Sequence, residues 1–278
     1  MRLSPALRQK AVVTGLWTLA ALTVAVLLFI VVYVLAKGLP HVTWNFLTDR
    51  PREMGKAGGI LPMIVGTLAV TALAVLIAAP VGVVTAIFLT EYTREGKLTA
   101  VIRFGADCLA GIPSIIFGLF GFVFFAITLK MGLSILAGGL TLAIMVLPTI
   151  IRTSEEAIRA VPAAYREVSL GLGATRWQTV TNVVLRSALP GISTGIVLSI
   201  GRSVSETAAL ILTAGSALRM PQSLMESSRT LSVHFYILSR EGISMDNAYA
   251  TAAILIVAIL LINIAAYWLM SRFIAKAS

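Results

Sequence analysis

The stretch that decides the fold reads Tyr165-Arg166-Glu167-Val168-Ser169-Leu170-Gly171-Leu172-Gly173-Ala174-Thr175-Arg176-Trp177, and it lies within a polar segment, Arg152–Pro190, between two apolar stretches. Proline precedes a helix-forming run over Ala163–Leu172, and glycines end that run. A second helical run follows over Thr175–Leu189. These patterns predict two short helices, joined at glycine and parallel to a membrane, that offer a knob to a soluble partner. An amphipathic connector that rests on lipid is the alternative.

The composition places most of the chain in a membrane. Of 278 residues, 58% are hydrophobic and only 12% are charged, and the mean hydropathy is +0.94. The formal net charge of +10 does not indicate nucleic acid, because the basic residues gather at the ends of apolar stretches, where anionic lipid headgroups neutralise them. The single cysteine, Cys108, has an apolar neighbourhood and is predicted to pack there. The sequence therefore predicts an integral membrane protein.

Six apolar segments are long enough to cross a bilayer, which requires about 20 residues at a rise of about 1.5 Å each. They lack the alternation of transmembrane β-strands, so we predict an all-α membrane protein with a single domain over residues 1–278. The predicted spans are Gly15–Ala36, Ile60–Thr90, Ala106–Leu129, Leu133–Ile151, Gly191–Ala214 and Ala248–Met270.

Basic residues set the predicted orientation. Arg2, Arg8 and Lys10 precede the first span as in a signal peptide, but its apolar core of about 22 residues exceeds the usual signal-sequence length, so we expect a retained helix. With the N-terminus inside, cytoplasmic segments hold 13 of the 22 lysines and arginines, and external segments hold eight. The positive-inside rule therefore predicts that both termini and the Arg152–Pro190 segment are cytoplasmic.

The sequence carries no motif for catalysis or metal binding. It lacks a Gly-x-x-x-x-Gly-Lys-Ser/Thr phosphate loop, a His-Glu-x-x-His sequence and a cysteine pair. Its two histidines, His41 and His234, are far apart in the chain. We therefore predict no catalytic residues, no metal site and no nucleotide hydrolysis in this chain.

Two pairs of charged residues lie near or within the predicted spans. A charge at the centre of a span costs about 2.5–3.5 kcal/mol on the insertion scale, so the helix that carries Arg202 and Glu206 should turn them toward a polar interior. Their spacing of four residues predicts that they pair, either as a structural ion pair or as part of a functional site. Arg103 and Asp107, also four apart, are predicted to form a structural or gating pair at the cytoplasmic interface.

The Arg152–Pro190 segment resembles the cytoplasmic EAA loop of ABC-transporter permeases. That loop reads Glu-Ala-Ala, three residues, Gly, nine residues and Ile-x-Leu-Pro. Here Glu167-Val168-Ser169 is followed after three residues by Gly173, and after nine more by Val183-x-Leu185. Valine and serine replace the two alanines, and Arg186 stands at the position of the proline.

This resemblance implies a bundle of the type I ABC-importer class in the bacterial cytoplasmic membrane. The loop would dock into a separate ATPase, with Arg166, Glu167, Gly173 and Ala174 as the coupling residues. ATP and magnesium would be bound by that partner, and this chain would hold no cofactor and would not be an enzyme.

A second signature, Gly201-Arg202-Ser203-Val204-Ser205-Glu206-Thr207-Ala208-Ala209-Leu210, is similar to a segment of PstA-type phosphate permeases. Serine and alanine replace a glycine and a proline of that segment. The run from Arg103 to Leu119 is also similar to that family, and with Asn263 the likeness covers approximately Ile60–Met270. Because the planar donor fork of a guanidinium matches phosphate oxygens and stays charged in a low dielectric, we hypothesise that Arg202 forms part of a transient phosphate path and that Glu206 competes for its guanidinium.

The same resemblance implies the partners. They are a second, PstC-like permease subunit, two PstB-like ATPase subunits, an external PstS-like phosphate-binding protein and membrane lipid. A permease for another oxyanion, such as molybdate or sulfate, is the alternative. A membrane-embedded enzyme or channel would need catalytic residues or a self-contained pore, and the sequence shows neither.

Overall fold

The computed structural model describes residues 5–94 and 96–277. Of the basic residues used for the orientation, Arg2 lies outside this part of the chain. The elements in chain order are α1 Pro5–Gly38, α2 Trp44–Thr48, β1 Pro51–Arg52, β2 Ala57–Gly58, α3 Leu61–Ile87, α4 Lys97–Gly111, α5 Ser114–Gly121, α6 Ile135–Arg159, α7 Ala163–Gly171, α8 Arg176–Thr179, α9 Leu185–Ser205, α10 Ala208–Thr213, α11 Leu231–Arg240 and α12 Met245–Ala277.

The prediction of an all-α membrane protein is confirmed. Five helices are long and apolar enough to cross a membrane, and the bent pair α4 and α5 makes a sixth if it is one span. The predicted spans at Gly15–Ala36, Ile60–Thr90, Leu133–Ile151 and Ala248–Met270 overlap α1, α3, α6 and α12. π-Helical turns extend α3 through Tyr92 and α5 through Thr128.

Two of the predicted spans are interrupted. The Ala106–Leu129 segment bends by 101° between α4 and α5, because Pro113 has no N–H for the helix and holds Ile112 in an extended conformation (φ −74°, ψ 130°). The Gly191–Ala214 segment is helical only to Ser205, after which the chain restarts as the short α10.

The predicted second loop helix, Thr175–Leu189, is not a separate element. A π-helical turn over Val180–Val184 joins α8 to α9, so that Arg176–Ser205 is one helix of 30 residues. Pro190 lies inside it without ending it, as membrane helices often allow. The expectation of two short helices in the polar segment therefore holds for α7 alone.

The centre of the fold is α6, which packs along both α3 and α9, and these two helices also contact each other. Glycines permit the close approach: a Cβ at Gly82 would lie 2.7 Å from Ile150 Cγ2, and one at Gly195 would collide with Thr153. Because lipid tails are as apolar as leucine, such close packing, rather than removal from water, holds membrane helices together. The buried core residues at this centre are Val70, Ala74, Leu142, Val146, Ile150 and Leu210.

A buried arginine and histidine fix the connection between α10 and α11. The Arg229 side chain donates from Nε to Ser216 O at 3.0 Å, and its Nη1 lies 3.3 Å from Nδ1 of His234, which is 1% exposed. Since a guanidinium has only donors, Nδ1 accepts and the imidazole proton lies on Nε2. Burial and then the charge of Arg229 lower the pKa of His234 from 6.5 to about 3. The histidine is therefore neutral in the folded protein.

This neutral histidine makes the stability pH-dependent. In the unfolded chain His234 gains a proton below about pH 6.5, whereas in the folded chain it stays neutral until about pH 3. The contribution is therefore complete above pH 6.5 and declines as the pH falls, by at most about 1.4 kcal/mol per unit. The unfolding temperature of the purified protein in detergent should fall more steeply between pH 7 and pH 5 than that of His234→Asn, which retains an acceptor for Arg229. Parallel pH profiles for the two proteins would contradict this assignment. Burial lowers the pKa of Arg229, and the negative charge of Glu241 acts in the opposite direction with a smaller effect.

Candidate functional site

The first candidate site is an exposed stripe along α9. Residues spaced by four follow a stripe that winds around α9 by about 40° at each step, and five of them are exposed: Arg186, Pro190, Thr194, Leu198 and Arg202. Leu198, which is 54% exposed, is the only bulky aliphatic side chain among them. A face of a membrane helix that contacts lipid is normally apolar. This stripe is therefore suited to a polar space or to another protein.

The stripe ends where α9 breaks. Glu206 is extended (φ −69°, ψ 132°), its Oε1 accepts from Ala209 N at 3.2 Å, and its carbonyl accepts from Ser232 Oγ at 2.5 Å. These bonds hold the broken end to α10 and to α11. In a continuous helix, Ala209 N would donate to the carbonyl four residues earlier. At the break, the carboxylate of Glu206 accepts this hydrogen bond instead.

The predicted ion pair between Arg202 and Glu206 is wrong. Residues four apart face each other only while the helix continues, and here it ends at Ser205. The carboxylate of Glu206 turns to the start of α10, and Arg202 is exposed, with no ion-pair or hydrogen-bond partner for its guanidinium in the described part of the chain. A guanidinium is thus left available beside the break.

Buried polar atoms lie behind this arginine. Ser203 Oγ and Asn263 Oδ1 are buried without a hydrogen-bond partner among residues 5–94 and 96–277. A Cβ at Gly201 would lie 3.6 Å from both Oδ1 and Nδ2 of Asn263, so the amide group of α12 faces the last turn of α9. Sequence reasoning named these residues only as parts of the family resemblance, and it did not predict that they lie together. The surroundings of Arg202 are therefore polar on the inner side of α9 as well.

The second candidate site is α7 with the turn that follows it. The helix ends in a Schellman motif, in which Gly173 N donates to Leu170 O at 3.0 Å and Ala174 N donates to Ser169 O at 3.2 Å. Gly173 has φ +84°, which strains any residue with a Cβ. The next helix begins with a capping box of Thr175 and Gln178. The backbone conformation of this turn therefore requires glycine at position 173.

An exposed apolar knob covers the outer side of this site. Its members are Tyr165, Val168, Leu172 and Trp177, which are 51%, 63%, 84% and 65% exposed. Exposed aromatic and aliphatic side chains clustered around a short helix are typical of a protein contact. Glu167 and Gly173 are exposed beside the knob, and Ala174 is half-buried.

Arg166 is not part of the exposed knob, although Tyr165 and Glu167 on either side of it are exposed. The structure turns its guanidinium inward, where it forms an ion pair with Glu91 at 2.7 Å. Sequence reasoning missed Glu91, whose only signal is an acidic residue at the end of a predicted span. Arg166 thus holds α7 to the bundle and lies away from the exposed knob.

Ion pairs between α4 and α6 surround a cleft of about 220 Å³ at the same end of the bundle. Arg103 Nε lies 2.7 Å from Glu155 Oε1, and Arg152 Nη2 lies 3.2 Å from Asp107 Oδ1. Arg103 and Asp107 are therefore each bound to α6, whereas the sequence predicted a pair within one helix. Glu155 was missed because it reads as an ordinary charge after a predicted span.

Other features carry less chemistry. Within residues 5–94 and 96–277, no group of three His, Cys, Asp or Glu side chains is placed to hold a metal ion. Cys108, which was expected to pack in an apolar interior, is exposed on α4.

The cap at Gly173 gives a test of local structure. We expect Gly173→Ala to destabilise the end of α7 by about 1 kcal/mol, which corresponds to about fivefold faster amide exchange. Hydrogen exchange over residues 168–174 of the purified protein measures this.

The matched control for that test is Gly171→Ala. Gly171 lies within α7, and a Cβ there would meet nothing within 4 Å. It should leave exchange unchanged or slower, since alanine favours helix. Equal exchange in the two variants would show that the positive φ is not needed.

Comparisons with known proteins agree with this geometry. Residues 78–278 match the family described as "Binding-protein-dependent transport system inner membrane component". The "Probable ABC transporter permease protein YqgI" of Bacillus subtilis (strain 168) is 33% identical over 273 residues, which are 92% of this chain and 93% of that protein. The "Phosphate transport system permease protein PstA 1" of Mycobacterium tuberculosis (strain CDC 1551 / Oshkosh) is 36% identical over 222 residues, covering 79% of this chain and 72% of the relative.

Solved structures share the fold. A chain of the inward-facing MetNI methionine ABC transporter matches with a TM-score of 0.65 and 20% identity, over 79% of this chain and 96% of that chain. A chain of a bacterial alginate ABC transporter, in complex with an alginate pentasaccharide-bound periplasmic protein, matches with a TM-score of 0.70 and 16% identity over 99% of both chains. At these identities the likeness concerns the fold alone.

Proposed function

We propose that this chain, which belongs to the family of binding-protein-dependent transport system inner membrane components, is the permease subunit of an ATP-driven importer of inorganic phosphate. Members of this family are multi-pass transporter subunits rather than enzymes, and the ATPase is a partner. The proposal for phosphate rests on the exposed, unpaired guanidinium of Arg202 at the broken end of α9. Relatives with the printed name of phosphate permeases, at 36% identity, support it.

Arg202 has the chemistry that transient phosphate binding requires. Its planar donor fork matches two phosphate oxygens, and it stays charged in a medium of low dielectric. The carboxylate of Glu206 is held by Ala209 N and leaves the guanidinium open. Glu206 lies one residue beyond the helix end, close enough in sequence for its negative charge to oppose a bound anion and favour release. Binding would then remain weak enough for transport.

The exposed knob of α7 is the proposed contact with the ATPase. Tyr165, Val168 and Leu172 would enter an apolar groove of that subunit, with Glu167 at the rim. Gly173 and Ala174 fix the turn that positions the knob. The positive-inside rule supports a cytoplasmic position for α7 and for both termini. The end of the bundle that carries α11 would then face the binding protein.

The remaining subunits follow from this assignment. One chain with five or six spans does not enclose a path by itself, and the stripe on α9 requires a facing surface. A second, PstC-like permease subunit would supply that surface. Two PstB-like ATPase subunits, which bind ATP and magnesium, and a PstS-like phosphate-binding protein would complete the assembly.

Substitution of Arg202 tests the substrate path. With the full assembly in vesicles, Arg202→Gln should reduce phosphate uptake about tenfold or more, because a charge-assisted bond to the anion is lost. Arg202→Lys should retain part of the activity if charge matters more than fork geometry. Lys10→Gln, which removes an exposed cation near the start of α1 and outside both the stripe and the knob, is the control and should transport normally.

Two outcomes would overturn the proposal. Uptake by Arg202→Gln at the wild-type rate, with equal amounts of protein in the vesicles, would remove Arg202 from the path. Transport of molybdate or sulfate, together with no transport of phosphate itself, would assign the permease to another oxyanion.

A further inference from the structure

Arg166 joins three helices through a single side chain. Its Nη2 lies 2.7 Å from Glu91 Oε1, and its Nε lies 3.0 Å from the same oxygen. Nη1 donates to Val161 O at 2.8 Å, and Nη2 also donates to Ile158 O at 2.9 Å. Glu91 belongs to the π-helical turn that ends α3, and the two carbonyls lie at the end of α6. The position of α7 is therefore fixed relative to both α3 and α6.

The sequence explains why a guanidinium is needed at this position. Pro162 has no N–H, so it cannot supply the donor that a continuing α6 would give to Ile158 O. Val161 N gives that carbonyl only a long hydrogen bond of 3.3 Å, and Arg166, one turn into the next helix, supplies a shorter one of 2.9 Å. A lysine has neither the reach in several directions nor the planar fork to bind a carboxylate and two carbonyls together. The proline and the arginine thus form one structural unit.

The joint that Arg166 and Glu91 form between α7 and the ends of α3 and α6 is largely shielded from water. The Glu91 side chain is 10% exposed and that of Arg166 is 24% exposed. Removing one partner would leave the other as an uncompensated charge in a largely dry site. The opposite side of α7 carries the exposed knob. The helix therefore has one face bound to the bundle and one face free for a partner.

The joint is also connected to the helix that carries Arg202. α6 packs along α9, where Gly191 lies against Ala157 and Gly195 lies against Thr153. A rigid-body movement of α7 would therefore act on the ends of α3 and α6, and through α6 on α9. The hydrogen bond between Ser169 and Thr179, 2.9 Å, gives a second, shorter connection from α7 to α8.

We infer that Arg166 and Glu91 are positioning residues for energy coupling: they transmit movement of α7 to α3 and α6 and contact neither the ATPase nor the substrate. This inference rests on the proposed role of α7 in docking the ATPase. It replaces the direct ATPase contact that the sequence resemblance implied for Arg166. It also predicts that the pair can be broken while the docking knob remains intact.

Distance measurements on the assembled transporter test the joint without reference to substrate. Spin labels at Ala164 on α7 and at Arg94 beyond α3, both exposed, in a Cys108→Ala background would report the α7-to-α3 distance. In the wild type the distance distribution should be narrow and the same in the nucleotide-free and vanadate-trapped states. Glu91→Gln and Arg166→Gln should each broaden it or make it differ between the states.

Coupling is the second readout. Phosphate imported per ATP hydrolysed should fall about fivefold or more in each variant, while the ATPase subunits still co-purify. Because both variants break one joint, the double variant should lose no more than either single variant. Glu156→Gln removes an exposed carboxylate of α6 near the joint and is the matched control, with wild-type distances and coupling expected.

The outcomes separate this inference from the proposed function. Narrow distances and normal coupling in Glu91→Gln and Arg166→Gln would overturn the inference, and so would losses that multiply in the double variant. Loss of the ATPase on purification would also overturn it, because the pair would then build the docking face. Absence of phosphate transport by the wild type would contradict the proposed substrate. The α7-to-α3 distances would still test whether Arg166 and Glu91 hold α7 to α3.

Discussion

The structure depends on keeping a charged arginine of a spanning helix away from lipid. Arg202 has no partner in the described part of the chain, so its helix cannot turn that face to the bilayer at a reasonable cost. Close packing of α9 on α6, at Gly195 and Thr153, fixes which face is buried. The exposed positions of α9 form the winding polar stripe, and the fold needs a second protein or a water-filled path to cover them.

The same helix α6 links the two candidate sites. Its centre supports α9, its last turns are bound to α4 through Glu155, and its C-terminal carbonyls are bound by Arg166 of α7. The chain belongs to a family of transport-system membrane components. In such a system, the link that α6 makes between α7 and α9 would carry movement from an ATP-hydrolysing partner to the helices that contact the substrate. In the proposed mechanism, the knob on α7 contacts the ATPase, the Arg166–Glu91 pair behind it transmits the movement, and the polar stripe on α9 lies beside the substrate.

The sequence predicted the fold class and the importance of the polar segment, but it did not predict contacts between distant residues. Length and apolarity were sufficient to find the spans, and the spacing of Glu167 and Gly173 was sufficient to find α7 and its cap. The pairing of Arg202 with Glu206 assumed an unbroken helix, and nothing in the local sequence states that Glu206 caps α10 instead. Glu91 and Glu155 each form an ion pair with an arginine of another helix, so a single sequence could not identify their roles.

The central claim, that the stripe on α9 lines an aqueous path, has a direct measurement. In a Cys108→Ala background, Pro190→Cys, Thr194→Cys and Leu198→Cys should react with a charged, membrane-impermeant thiol reagent in the assembled transporter, and phosphate should slow the reaction. Leu76→Cys, at a position of α3 that is 73% exposed and predicted to face lipid, should stay unreactive. Reaction of the three stripe positions with an apolar maleimide alone, at rates equal to that of Leu76→Cys, would place α9 against lipid and contradict the account.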